Sequence, residues 1–108
     1  MAIAVQVLTR AQAAHPGALL PPAGQRWAML SDPWFDATSE SPGLDRHGLF
    51  GCACCAGNLA LRVTLGRLIR RGGYARVLIV VADESHRAGV LAVLGEAQFA
   101  PHLTLLPA

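Results

Sequence analysis

The chain contains no lysine: all nine of its basic side chains are arginine. Apart from an α-amino terminus, any mechanism that requires an ammonium group on a flexible stem is excluded. Charged residues are sparse at 15%, and aromatic residues sparser at 6%. The arginines are scattered and have few aromatic neighbours for base stacking, and a formal charge of +2 with a pI near 8.7 is too mild for a nucleic-acid footprint. No apolar run approaches the roughly 18 residues of a spanning helix, and the opening MAIAVQVLTR lacks the basic start and long apolar stretch of a secretory signal. The expectation is a soluble protein in a reducing, cytoplasmic setting, with neither nucleic acid nor membrane as partner. Cysteine is also scarce. There are three, an odd number, and all lie within GCACC at residues 51–55, unlike the spread pairs of a disulfide framework.

What is present is apolar surface, 53% of 108 residues, enough for one modest core and against disorder. Residues 1–108 read as a single domain. Ile3 to Leu8 is a short apolar run consistent with a first strand. Three prolines and two glycines across residues 9–25 leave room for only a short helix around Ala18 to Leu20. Arg26 to Leu30 restores a strand pattern, and residues 31–48 read as a long polar loop broken by Pro33, Pro42, Gly43 and Gly48.

Beyond the cysteines, Leu61, Leu65, Leu68 and Ile69 recur at helical spacing, which predicts an amphipathic helix over about Gly57 to Arg71. Arg70 and Arg71 complement its dipole, and Gly72 with Gly73 supplies a left-handed stop. Arg76 to Ala82 is a continuous β-rich run, as in a strand covered on both faces. Ser85 is placed to cap a helix over about His86 to Ala97, and Leu103 to Leu106 forms a last strand. The order predicts an α/β fold, a small, mostly parallel sheet of about four strands with flanking helices.

C-x-C-C immediately before a helix has a physical rationale, since helix N-terminal amides and the dipole favour thiolates over thiols. Gly51 and Gly57 allow tight backbone around an ion, and zinc, cobalt(II) or copper(I) accept soft sulfur ligands. Cys52, Cys54 and Cys55 are the candidate metal ligands. The fourth position falls to His47, five residues before Cys52, to Asp36, or to a group from another molecule. Two other readings stay open: inert buried thiols, and redox chemistry, against which stands the strain of a vicinal Cys54–Cys55 bridge. His15, His86 and His102 lie apart from the cluster in sequence and read as surface residues, and Trp34 with Phe35 as a packing or docking pair.

The stretch LFGCACCAGNLALRVTLGRLIRRGGYARVLIVVADES resembles the G-C-x-C-C motif, helix and following strand of the CobW-like P-loop GTPases and metallochaperones. The resemblance covers nearly the whole chain but only the front of that family's GTPase domain, so it implies a P-loop-GTPase-like half domain that handles a transition metal. RWAMLSDPWFD is similar to the family's second strand and Asn-Glu-Phe-Gly-Glu turn, with Asp36 near its second acidic residue and Trp34 near its aromatic.

The departures are equally informative. VLTRAQAAHPGALL, laid on the family's phosphate loop, puts Arg10, Ala13 and His15 where glycines stand, Pro16 at the lysine and Gly17 at the magnesium-binding threonine. Proline has no N–H, and no lysine exists to substitute. The family's Glu-Thr-Ser-Gly after the third strand is replaced by Val80-Val81-Ala82-Asp83, and Asp83 and Glu84 read as solvated acids at a helix start. The family's guanine-reading Asn-Lys-x-Asp segment has no counterpart in the sequence. The expectation is therefore a metal-binding accessory or metal-transfer protein without GTPase chemistry, taking zinc, or cobalt or copper, and serving a metalloprotein client. No catalytic or cofactor-binding residue is assigned. The alternatives are a non-catalytic partner that forms a homo-oligomer or pairs with a full-length CobW-like GTPase, and a weak GTP-binding protein.

Overall fold

The computed structural model describes residues 2–15, 17–31, 42–48 and 59–107. Within them the chain runs β1 (Ile3–Thr9), α1 (Arg10–Ala13), β2 (Trp27–Ser31), β3 (Leu44–Gly48), α2 (Leu59–Arg71), β4 (Arg76–Val81), α3 (Glu84–Leu94), a 3-10 turn (Ala100–His102) and β5 (Leu103–Leu106). The strands form one sheet in the order β3-β2-β4-β1-β5, and every pairing is parallel. The fold is α/β with a parallel sheet between helices, as the sequence pattern predicts.

β4 lies at the centre because both of its faces are apolar. Val77, Ile79 and Val81 pack with Leu61, Leu65 and Leu68 of α2 and with Val90, Val93 and Leu94 of α3. Leu78 and Val80 turn the other way, onto Leu8, Ala13, Trp27 and Met29. Each such side chain removed from water contributes about 1.5–3 kcal/mol, so the alternation of a single strand fixes both layers. α2 ends as expected: Gly72 adopts φ +66 and its N–H donates to the Leu68 carbonyl at 3.0 Å.

Three expectations are corrected. The loop assigned to residues 31–48 contains a fifth strand, β3, at the open edge of the sheet beside β2. The early helix is α1 at Arg10–Ala13, started by a Thr9 capping box with Gln12, and not a helix around Ala18 to Leu20. The cap of α3 is Asp83, whose side chain accepts from the Ser85 N–H, and that helix spans Glu84–Leu94 in place of 86–97. Asp83 and Glu84 are exposed. Among the described residues no helix is long and apolar enough to cross a membrane.

Candidate functional site

β3 positions the one predicted site residue that the structure describes. Register with β2 sets Asp45 opposite Ala28 and His47 opposite Leu30, and both partners belong to the core layer beneath α2. Strand alternation therefore turns Asp45 and His47 to the α2 side. There the His47 ring meets the Tyr74 ring edge-on, with centroids 6.2 Å apart. His47 Nε2 is buried and has no hydrogen-bond partner among the described residues. A buried imidazole nitrogen left unpaired is costly and calls for a physical explanation.

Tyr74 itself is held from three directions. Its hydroxyl donates to Asp45 Oδ2 at 2.7 Å, the Arg26 guanidinium lies 5.3 Å from its ring centroid, and Arg26 Nη2 donates to the same Asp45 oxygen. The Tyr74 hydroxyl and then Arg26 hold the Asp45 carboxyl below its ordinary value of 3.8. Burial, and next the bond to Asp45, push the Tyr74 phenol above 10.0. Arg26, Asp45, Arg46, His47, Arg71 and Tyr74 line a cleft of about 820 Å³ beside this cluster.

Cys52, Cys54, Cys55 and Asp36, with Trp34 and Phe35, lie outside the described residues. The chain reaches the cysteines directly from the end of β3, and ten residues, 49–58, join Gly48 to the start of α2 at Leu59. Among the described residues no three or more His, Cys, Asp or Glu side chains are grouped to hold a metal ion. His15 and His102 are exposed, and His86 is half-buried against Asp83. Sequence reasoning missed Tyr74, Asp45 and Arg26. Tyr74 is the single tyrosine of the chain, but no local pattern links it to Asp45, 29 residues earlier.

The sheet's topological switch point lies between the carboxyl ends of β1 and β4, where open α/β sheets commonly bind ligands. Several of its polar groups are committed internally. Gln12 N–H donates to Thr9 Oγ1 at 3.2 Å, and Gln12 Oε1 accepts from the Thr9 N–H at 2.9 Å and from Arg87 Nη2. The Ala14 and His15 N–H groups close onto the Arg10 and Gln12 carbonyls. Nearby, Ser85, His86 and Asp83 bring together the residue types of a nucleophilic triad. The Ser85 hydroxyl and His86 Nδ1 lie 3.3 Å apart, but both also converge on Asp83 Oδ1, so the same imidazole nitrogen faces serine and carboxylate together and the relay order of a triad, in which the two ring nitrogens face different partners, is not made. The arrangement caps α3, and Ser85 first, then His86, holds the Asp83 pKa at about 2.

Comparison of the chain with family models, curated proteins and solved structures finds no match.

Proposed function

We propose that this chain is a metal-binding accessory or transfer protein that holds zinc, or a similar thiophilic ion such as cobalt(II) or copper(I), through Cys52, Cys54, Cys55 and His47. The observation that carries the reading is the buried, unpartnered Nε2 of His47 on the strand that leads into the cysteine segment. Cys52 lies five positions after His47, at most about 18 Å of extended chain, so one ion is within common reach. A neutral imidazole nitrogen is a frequent ligand for these metals, and coordination would satisfy the lone pair that the fold leaves unpaired. Asp36 is the alternative fourth ligand. His47 is preferred because β3 and the Tyr74 ring already fix its side chain.

Nucleotide chemistry is left out of the proposal for reasons of charge and backbone. No lysine is available, and the Gln12, Ala14 and His15 N–H groups that follow β1 are spent on the Thr9 cap and the turns of α1. The test is metal content after expression in zinc- or cobalt-supplemented medium. Wild type is expected to retain about one ion per chain, with Cys54→Ser and His47→Ala depleted. Equal content in wild type and Cys54→Ser would reject the site.

A second reading, association with another copy or with a larger relative, is favoured by one feature. Among the described residues β5 ends the sheet with only β1 as its partner, and it carries Leu105, which is 55% exposed. Sedimentation of wild type against Leu105→Lys would separate the two: a dimer that the lysine dissociates supports assembly through β5.

A further inference from the structure

Among the described residues the large apolar side chains exposed to solvent are Leu20, Leu59, Val63 and Leu105, and two of them belong to α2. Leu59 and Val63 are 63% and 44% exposed. With Gly66 and Arg70 they recur at i, i+4, i+7 and i+11, which sets all four on the side of α2 opposite the buried Leu61, Leu65 and Leu68. Beside this line runs an open groove of about 540 Å³, between α2 and the segment that leads into β5. Its apolar lining comes from Val63, Ile69 and Phe99, with Gly66 among them, and Arg70 and His102 border it.

A glycine inside a helix costs stability relative to alanine. A Cβ on Gly66 would meet nothing within 4 Å, so no contact among the described residues requires the missing side chain. What it does allow is the close approach of a second backbone. The charge of the same helix is one-sided: α2 carries Arg62, Arg67, Arg70 and Arg71 and no carboxylate. Arg62 is paired with both oxygens of Glu96, and Gln98 also donates to that carboxylate. Arg67 and Arg70 have no ion-pair partner among the described residues. The carbonyl end of α2 offsets only about half of one such charge.

We propose that this face of α2 docks an acidic amphipathic helix of another protein, its apolar side chains laid against Val63, Ile69 and Phe99, its backbone close over Gly66 and its carboxylates set toward Arg67 and Arg70. Charge complementarity selects that occupant. A second copy meeting α2 with α2 would bring Arg67 and Arg70 onto their own equivalents, and α3 has a single acid to offer, Glu84, which Arg87 already engages. An anionic bilayer would satisfy the arginines but gains nothing from a notch at Gly66, where a larger apolar side chain would insert further. The site uses neither the cysteines nor β5 and stands independently of both readings above.

The experiment is selection of a random peptide library displayed on phage against the full chain, followed by titration with the selected peptides in synthetic form, read by backbone amide shifts. The selected sequences are expected to converge on apolar residues at i, i+4 and i+7 flanked by Asp or Glu, and to give saturable shifts at Val63, Gly66, Ile69, Arg70 and His102. Gly66→Ala should raise the urea midpoint of the chain and yet weaken the peptide by at least about tenfold, a combination that a purely structural glycine would not produce. Arg70→Gln should weaken it about threefold, by a margin that shrinks as salt is added. Leu105→Lys should leave the affinity unchanged. Enrichment of no peptide at α2, enrichment without acidic residues, or equal affinity for wild type and Gly66→Ala would overturn the proposal. Sedimentation with phosphatidylcholine–phosphatidylglycerol vesicles, undiminished in Gly66→Ala, would overturn it in favour of a lipid surface.

Discussion

The Tyr74 hydroxyl donates to Asp45 Oδ2 at 2.7 Å and so ties the segment that leads into the central strand β4 to the edge strand β3, across β2. The bond stabilises only one combination of protonation states, a neutral phenol with an ionised carboxylate. Asp45 has its folded pKa lowered, so its contribution is full above the ordinary value of 3.8 and is lost as pH falls through the folded value. Tyr74 has its folded pKa raised, so its contribution is full below 10.0 and is lost as pH climbs through the folded value. Stability attributable to this pair is therefore expected to form a plateau between about pH 4 and pH 10. Tyr74→Phe should cost about 1 kcal/mol within it, allowing for the exposure of Asp45, and should move the Asp45 midpoint upward. Urea unfolding at pH 3, 7 and 11, together with carboxyl NMR titration, checks both. An unchanged Asp45 midpoint in the variant would contradict the assignment.

Gly43 and Gly24 share a backbone conformation but not an environment, which allows two costs to be separated. Both have φ near +80, where side chains are disfavoured by about 1 kcal/mol. A Cβ on Gly24 would meet nothing within 4 Å, whereas one on Gly43 would lie 2.5 Å from the Gln25 carbonyl oxygen. The Gly43 carbonyl also accepts the Trp27 N–H at 2.7 Å, so displacing it disturbs the start of β3. Gly24→Ala is expected to cost about 1 kcal/mol and Gly43→Ala about 3 kcal/mol or more, by chemical denaturation. Equal losses would mean that β3 does not depend on this close approach.

The contrast between β4 and β3 explains what was readable from the sequence. Arg76–Val81 is buried on both faces, so its residues carry the strand signature themselves, and α2 announces itself through Leu61, Leu65, Leu68 and Gly72. β3, LDRHG, is an edge strand whose polar residues suit an open edge, and nothing local distinguishes it from a loop. Its strand character comes from register with β2, a property of residues 17 positions apart, Trp27 and Leu44. The Thr9-x-x-Gln12 spacing of the α1 capping box is present in the sequence, but a four-residue helix followed by prolines and glycines carries no periodic pattern to mark it. At the candidate site, spacing to the cysteines singled out His47 as an expected ligand. Tyr74, Asp45 and Arg26 were not, because they meet only once β2, β3 and β4 are aligned.

Asp83 offers a titration that separates capping from catalysis. Its pKa of about 2 is attributed first to the Ser85 hydroxyl and then to His86. Because the folded value is lowered, the cap is at full strength above about pH 4 and weakens as pH falls toward 2. Ser85→Ala should bring the Asp83 midpoint back toward 3.8, with the α3 amides becoming less protected at pH 3 than in wild type. A Ser85 variant that leaves the Asp83 midpoint near 2 would show that the hydroxyl does not donate to it.

Metal loading should be felt by the fold as well as by the cysteines, because the proposed ligand His47 is part of the sheet. An ion that binds only the folded chain stabilises it by RT ln(1 + [L]/Kd), about 2.7 kcal/mol at a hundredfold excess over Kd. For a domain of this size that corresponds to a rise in Tm of roughly 10–20 °C. Adding zinc to wild type is expected to give such a rise, reversed by a chelator. Cys54→Ser should abolish most of it, while His47→Ala, which keeps three thiolates, should retain binding weakened by at least about tenfold and a correspondingly smaller rise. Without added metal, His47→Ala should be close to wild type in stability, since the substitution removes a buried nitrogen that has no partner among the described residues. If zinc raised the Tm of wild type and His47→Ala by the same amount, His47 would not be a ligand, and the buried nitrogen would need another partner.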